Sequence, residues 1–226
     1  HSGASPLLDK IGEFIHVQIM QPLLAALQRE KLAGWGVLGV DCAITAEGPK
    51  VLRIRSTLSD SEAHVLLPRL TDDLLGLIAA CNNRSLHTLP PLRWQQQSAV
   101  GVTIVASGYP HSFPTGIGVR GMGDLDAGML AFHNETINPN SMEYVSSEFQ
   151  MPEKRRFMSG LGTAFSEAML VRPTGPNILT SQGGRILTLV GQANSREQAR
   201  EQAYANVAKL TIPSSYYRTD IGASEL

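Results

Sequence analysis

Four charged residues within ten positions of the chain have the types that could bind an anion or transfer a proton. Arg53 and Arg55 stand two apart, so on a β-strand both side chains would project from one face. Guanidinium groups bind carboxylates and phosphates through paired hydrogen bonds. Asp60 and Glu62 are also two apart and could act as acid and base or hold a substrate amine. The same two carboxylates would also stabilise the start of a helix, which is the simpler interpretation.

Two further sets of residues lie in the C-terminal part. The turn Gly183-Gly184-Arg185 could hold a phosphate through its backbone amides and a guanidinium, and it is equally compatible with a tight hairpin that carries a surface arginine. Arg218 and Asp220 favour an ion pair with each other that fixes the C-terminus. The six histidines lack the paired spacing of zinc ligands, and no nucleotide-binding or serine-hydrolase motif is present. We therefore predict no catalytic residue and no metal ligand.

The elements that must position these residues can be predicted from apolar spacing. Apolar residues recur at helical intervals over residues 8–27 and predict an amphipathic helix that Pro22 should kink or split. Residues 35–44 and 50–55 predict the two strands of a hairpin. We expect the second strand to turn its arginines outward and to bury Leu52 and Ile54 on the opposite face.

The remaining elements follow from composition in the same way. Helices are predicted from Asp60 and over residues 70–81, each with acidic residues near its start. After the breaker Leu89-Pro90-Pro91, the β-branched run 99–106 predicts a strand that opens a β-rich module. Strands are also predicted at residues 129–132 and 185–190, followed by a helix over 195–210. Residues 137–177 have weak periodicity, and we expect a mobile insertion there that could contact a partner.

Composition excludes several classes of function. The chain has 226 residues, 42% of them hydrophobic, which is enough for a sizeable core. Its formal net charge of -1 gives no basic field, so nucleic acid is not an expected partner. No apolar run approaches the roughly 18 residues that would cross a bilayer, so no membrane is expected either. Two cysteines without metal-ligand spacing favour free thiols and an intracellular setting, cytoplasmic or nuclear.

A series of short motifs occurs in one order along nearly the whole chain. The motifs are Gly48-Pro49-Lys50-Val51-Leu52, Leu67-Pro68-Arg69-Leu70, Ala106-Ser107-Gly108-Tyr109-Pro110, Phe132-His133, Gly183-Gly184-Arg185-Ile186-Leu187 and Tyr217-Arg218-Thr219-Asp220-Ile221-Gly222. Each motif alone is weak. Their ordered set resembles the C-terminal half of the phosphoribosylamine–glycine ligase family, which are ATP-grasp enzymes of purine synthesis that use ATP and magnesium.

The resemblance implies a fold of the α/β (α+β) class. We expect a truncated ATP-grasp-like core lobe over residues 5–92 and a β-rich C-terminal lobe over residues 93–226, with the insertion at about 137–177. The family's N-terminal domain and its ATP lid have no counterpart in this sequence. Half of the family's active site is therefore expected to be missing from this chain.

The chain departs from the family on its metal strand, where the Glu and Asn that bind magnesium in the family fall on Arg53 and Arg55. A guanidinium has only donors and a permanent positive charge, so it cannot ligate magnesium. We expect no cofactor. The two arginines should form an internal cluster with Asp60 and Glu62, or else stay open and bind an external phosphate or an acidic partner residue.

Three functional hypotheses follow. The first is a catalytically inactive module of this family that acts in protein–protein interaction, scaffolding or regulation, with a protein partner or a second copy of itself. The alternative is a C-terminal fragment of an ATP-dependent phosphoribosylamine–glycine ligase whose other lobes are supplied elsewhere. A third hypothesis is a sensor that binds a phosphate-bearing metabolite without turnover.

Overall fold

The computed structural model of the protein describes residues 6–32, 36–138 and 178–223. The α-helices are α1 (Pro6–Ile15), α2 (Gln21–Arg29), α3 (Asp60–Leu66), α4 (Leu74–Asn82) and α5 (Arg196–Val207). The strands are β1 (Gly39–Thr45), β2 (Gly48–Arg55), β3 (Ser98–Ala106), β4 (Gly118–Val119), β5 (Leu130–His133), β6 (Thr136–Ile137), β7 (Leu179–Ser181), β8 (Arg185–Ala193) and β9 (Ser215–Tyr216). The predicted α/β class is confirmed. The predicted insertion lies almost entirely outside the described residues.

The N-terminal helical run is interrupted just before its proline. α1 and α2 are joined by a π-helical turn over His16–Met20, in which the Gln21 N–H donates to the His16 carbonyl oxygen. Pro22 has no N–H for the carbonyl one turn earlier, so the regular α pattern cannot pass through it. The wider π-helical turn accommodates the missing hydrogen bond. Pro22 lies at the start of α2, where a residue without a backbone N–H is tolerated. The predicted interruption is present, one turn earlier than the proline itself.

β1 and β2 form the predicted antiparallel hairpin around a two-residue turn, with Thr45 paired to Gly48. The register shifts near Leu52, which has no pairing partner in β1. The expectation that β2 buries an apolar face is wrong, because Leu52 is 70% exposed and Ile54 is 51% exposed. Within the described residues the two strands pair only with each other, and although α1 lies near β2, Leu52 and Ile54 remain exposed.

α3 joins the hairpin to the C-terminal lobe. Ser59 caps the helix by accepting from the Glu62 backbone N–H, while the Glu62 carboxylate accepts from the Ser59 backbone N–H at 2.8 Å. On its other side α3 places Val65 against Ala99 of β3 and Val190 of β8, and all three are buried. α3 therefore packs on the C-terminal sheet, although it lies before residue 92 in the sequence. The boundary at 92/93 stays a prediction.

α4 begins later than predicted, at Leu74. Leu70 instead forms an isolated antiparallel bridge with Trp94, which holds the preceding residues extended. The helix starts where the Asp73 carboxylate accepts from the backbone N–H groups of Leu75 and Gly76, at 3.1 and 2.9 Å. The helix therefore starts later than predicted, because Asp73 caps it and because Leu70 pairs with Trp94 instead of joining it.

The C-terminal lobe is built on a four-stranded antiparallel sheet with the order β5-β8-β3-β9. α5 packs across β3 and β8, and its Ala203 and Val207 meet Val102, Ile104 and Leu189 in the main core. A second, three-stranded sheet has the order β4-β7-β6 and packs on the other end of β8. The strands predicted at 99–106, 129–132 and 185–190 and the last helix are all present.

Cys42 and Cys81 are both free and half-buried. Within the described ranges, no helix has the length and apolarity needed to cross a bilayer.

α5 lies very close to the sheet at Gly191, where a Cβ would collide with the Ala199 carbonyl oxygen and lie 2.9 Å from the Ala203 nitrogen. Both are backbone atoms and cannot move aside easily. We expect Gly191→Ala to lower the free energy of unfolding by about 1–3 kcal/mol or more, measured by urea denaturation.

The matched control for this substitution is Gly123→Ala. A Cβ at Gly123 would have no atom within 4 Å, so we expect almost no change in stability. A Gly191→Ala chain as stable as the parent would contradict the close packing of α5 on β8.

Candidate functional site

The charged face of the hairpin is organised around the guanidinium of Arg55. Its two terminal nitrogens donate to the two carboxylate oxygens of Glu62, both at 2.5 Å. Nε and one terminal nitrogen donate to Oδ1 of Asp41 at 3.0 and 2.7 Å, and the last N–H donates to the Thr57 carbonyl oxygen at 3.1 Å. A guanidinium has five N–H donors, so every donor of Arg55 is used inside the chain.

Arg53 lies at the rim of this network. It donates from Nε to Oδ2 of Asp41 at 2.9 Å, and a terminal nitrogen lies 2.8 Å from the same oxygen. Its side chain is exposed, whereas that of Arg55 is only 16% exposed. Arg55 is therefore a structural cation enclosed by carboxylates, and Arg53 is a surface cation attached to the edge of the same cluster.

The two carboxylates of the network are held in their charged form. Hydrogen bonds from Arg55 are the main cause that lowers the pKa of Glu62 to about 2. Burial opposes this shift, and hydrogen bonds from Ser59 add to it. The pKa of Asp41 is lowered first by Arg55 and then by Arg53. The same contacts with Glu62 and Asp41 raise the pKa of Arg55.

This network does not fit the magnesium that the resemblance implies. Arg53 and Arg55 cannot ligate a cation, and the oxygens of Asp41 and Glu62 face guanidinium groups. Over the described ranges, no group of three or more His, Cys, Asp or Glu side chains could hold a metal ion. No step of a reaction can therefore be assigned to a metal on this strand.

Asp60 does not join this network, and its predicted contact with the hairpin arginines is wrong. It lies 2.9 Å from a terminal nitrogen of Arg185 at the start of β8. Asp60 occupies the first turn of α3 and Arg185 follows the β7–β8 turn, so this pair fixes α3 to the C-terminal sheet. The structure thus splits the predicted four-residue cluster into two ion-pair groups.

The β7–β8 turn is occupied by an internal carboxylate. The backbone N–H of Arg185 donates to Oε2 of Glu135 at 2.8 Å, and a Cβ at Gly183 would collide with the same carboxylate. A Cβ at Gly184 would collide with the ring of Tyr109. The two glycines therefore allow close packing, and Glu135 occupies the position that a phosphate held by this turn would take, which favours the hairpin interpretation of the motif.

Arg218 and Asp220 form the predicted ion pair, at 2.9 and 2.6 Å, and both side chains are exposed. The C-terminal segment is fixed mainly from α5, a contact that sequence analysis missed. Arg200 donates to the carbonyl oxygens of Ile221 and Thr219 at 3.1 and 2.8 Å, and the Tyr204 hydroxyl donates to that of Arg218 at 2.6 Å.

Asp41 is the main site residue that sequence analysis missed. It pairs with Arg53 across the hairpin, which places its carboxylate between the two arginines. The sequence feature that could have predicted this role is that Asp41 is the single charged residue in the run Gly36 to Ile44. The strand that follows this run carries two arginines. An unpaired charge in such a strand needs a counter-ion, and cross-strand pairing supplies one.

Comparison with known proteins identifies the family. The family model described as "Phosphoribosylglycinamide synthetase, C domain" matches residues 99–224, which is more than half of the chain. A phosphoribosylamine–glycine ligase from Caldanaerobacter subterraneus subsp. tengcongensis is 29% identical over 221 residues, which cover 97% of this chain and 44% of the relative. The trifunctional purine biosynthetic protein adenosine-3 from Gallus gallus is 28% identical over 96% of this chain and 18% of its own length.

A solved structure shows the same fold. The crystal structure of phosphoribosylamine–glycine ligase from Thermotoga maritima superposes with a TM-score of 0.56 at 18% identity, covering 81% of this chain and 36% of that one. The chain therefore spans less than half the length of these relatives. The resemblance seen in the ordered motifs is confirmed, and the chain belongs to the phosphoribosylglycinamide synthetase C-domain family.

Proposed function

We propose that this chain acts as the C-terminal part of an ATP-dependent ligase of the phosphoribosylamine–glycine type, completed by lobes supplied elsewhere. The substrates are then an amino sugar phosphate resembling phosphoribosylamine and an amino acid resembling glycine. The support is that relatives of this activity match almost the whole chain, whereas the chain corresponds to 44% of a relative such as the Caldanaerobacter ligase.

The exposed apolar face of the hairpin is the structural observation that carries this proposal. Ile54 and Val51 pair with Val40 and Cys42, so both lie on the face opposite Arg53. Val51 and Ile54 are each about half exposed, as is Ile44 further along β1. A two-stranded sheet with an uncovered apolar face is only marginally stable in water. A further lobe packed on that face would bury it and complete the sheet.

The proposal has a consequence for the metal. Since the Arg55 network offers no ligand, any magnesium in the assembled ligase must be held by side chains outside this strand. The part played by β2 is then structural: it holds the hairpin against α3 and presents the apolar face to the neighbouring lobe.

A second candidate function is supported by the same network. Replacement of two metal ligands by arginines is expected in a module that has lost catalysis and that acts through a protein partner or a phosphate-bearing metabolite. In this case the exposed face of the hairpin binds a regulatory partner. The two candidates differ in one measurable property, which is turnover in the presence of the lobes that precede the matched region in the relatives.

Complementation tests the proposal. This chain would be mixed with the separately produced part of the Caldanaerobacter ligase that precedes the matched region, and ADP formation would be followed with ATP, phosphoribosylamine and glycine. We expect turnover only when both proteins are present. Val51→Glu should abolish it, because a charge on the apolar face prevents docking, whereas Lys50→Glu on the other face should retain it.

Two results would decide against the proposal. A stable complex without turnover would favour the inactive module. The absence of both complex and turnover would contradict the interpretation of the hairpin face as a lobe interface.

Glu62 should carry a pH-dependent share of the stability. Its pKa falls from the ordinary value of 4.5 to about 2, so its contribution is complete above the ordinary value and is lost as pH falls through the lowered one. We expect the difference in free energy of unfolding between the parent chain and Glu62→Gln to be constant above about pH 5 and to shrink toward pH 2. Urea denaturation at each pH measures it, and a difference that does not change with pH would contradict the ion pair.

A further inference from the structure

A histidine lies in the contact between α3 and the C-terminal sheet. The ring of His64 stacks on the ring of Phe132 in β5, with the ring centroids 4.4 Å apart and the two planes 13° from parallel. Beside it, Val65 packs into the core of the sheet and Asp60 pairs with Arg185. A change in the charge of His64 would therefore act on the contact that joins α3 to the sheet.

One ring nitrogen of His64 is enclosed in this contact. Among the described residues, Nδ1 is buried and has no hydrogen-bond partner. A neutral imidazole tolerates this position, because it can carry its hydrogen on Nε2 and leave Nδ1 as an unprotonated acceptor. A proton taken up by the ring must then bind to Nδ1, where it would create a buried N–H donor without an acceptor. Such a donor is costly to bury.

The charged groups around His64 do not favour a positive charge on its ring. Asp60 attracts such a charge, but it is already paired with Arg185 of β8, whose guanidinium repels it. On β5 the titratable residue is His133, which strand alternation places on the opposite face and which bonds to Thr136. β3 has no titratable residue.

The remaining charged groups on and beside α3 have partners outside this contact: Glu62 bonds to Arg55, and Arg69 donates to the Gln95 carbonyl oxygen. A cation stacked on Phe132 would gain some attraction from the face of that ring. Burial acts in the other direction and is the main cause that keeps the pKa of His64 below its ordinary value of 6.5. The neutral ring is therefore the form that fits the contact.

We propose that His64 is a pH-sensitive switch: its neutral form holds α3 on the C-terminal sheet, and its protonation loosens that contact. The hairpin should move with α3, because the Glu62 carboxylate that binds Arg55 has a pKa of about 2 and stays charged where a histidine titrates. This switch does not depend on the proposed ligase activity.

The direction of the pH effect follows from linkage. The loosened form has an exposed histidine with the ordinary pKa of 6.5, so it binds a proton more tightly than the closed form does. The contact should therefore keep its full stability above about pH 6.5 and weaken as the pH falls below that value.

Hydrogen exchange of the whole chain at pH 7.5 and pH 5.5 tests the switch where it should act. After correction for the intrinsic rate, exchange at the Val65 and Leu66 amides of α3 should rise by up to about tenfold at the lower pH, since a free histidine is then about nine-tenths protonated. Amides of α5 provide an internal reference, because α5 packs on the opposite face of the sheet.

The matched control is His64→Phe, which keeps an aromatic ring on Phe132 but cannot titrate. The same α3 amides should then show almost no rise between the two pH values. No rise in the parent chain, or a rise of equal size in His64→Phe, would overturn the proposal.

An NMR titration of the His64 ring in the parent chain gives a second test that needs no variant to fold. The midpoint should lie below 6.5, and a midpoint at or above that value would overturn the proposal. Arg185→Gln should raise the midpoint, because it removes a repelling cation and leaves Asp60 without its partner, whereas Arg185→Lys keeps the charge and should keep the midpoint low. An unchanged midpoint in Arg185→Gln would overturn the part assigned to Arg185.

Discussion

The contact of Arg55 with Glu62 and Asp41 is the interaction on which the arrangement of the N-terminal part depends. Asp41 and Arg55 belong to the hairpin, Glu62 belongs to α3, and α3 packs on the C-terminal sheet through Val65. One guanidinium therefore connects the hairpin to the core of the protein, with all five of its donors used. Because Glu62 also caps α3 with Ser59, the same carboxylate stabilises both the helix start and the hairpin contact.

This network can hold the hairpin and α3 together without a metal ion. A divalent ion between two strands and a helix holds oxygen ligands together, and a fixed guanidinium between two carboxylates can hold the same elements together. The exposed apolar face of β2 needs a neighbour in both candidate functions, and the match of ligase relatives to almost the whole chain favours the proposed ligase.

Local patterns were sufficient to predict much of the fold. Alternating and β-branched runs predicted the hairpin, β3 and β8, acidic residues at a helix start predicted α3, and helix-forming composition predicted α5, because these signals are carried by neighbouring residues. Contacts between distant segments could not be predicted in this way. Asp60 pairs with Arg185 rather than with its sequence neighbour Arg55, and Arg200 fixes the C-terminal segment. The exposure of Leu52 and Ile54 was missed for a related reason, since burial depends on a covering layer and not on the strand itself.

Charge exchange across the central contact tests the account most directly. Free energies of unfolding would be measured by urea denaturation for Arg55→Glu, for the double variant with Glu62→Arg, and for Arg55→Glu combined with Asp60→Arg. The account predicts a large loss of stability for the single variant, partial recovery with Glu62→Arg, and no recovery with Asp60→Arg, since Asp60 pairs with Arg185. An Arg55→Glu chain that keeps the stability of the parent but changes its binding of phosphate or magnesium would contradict the account and show that the strand remains an open binding site.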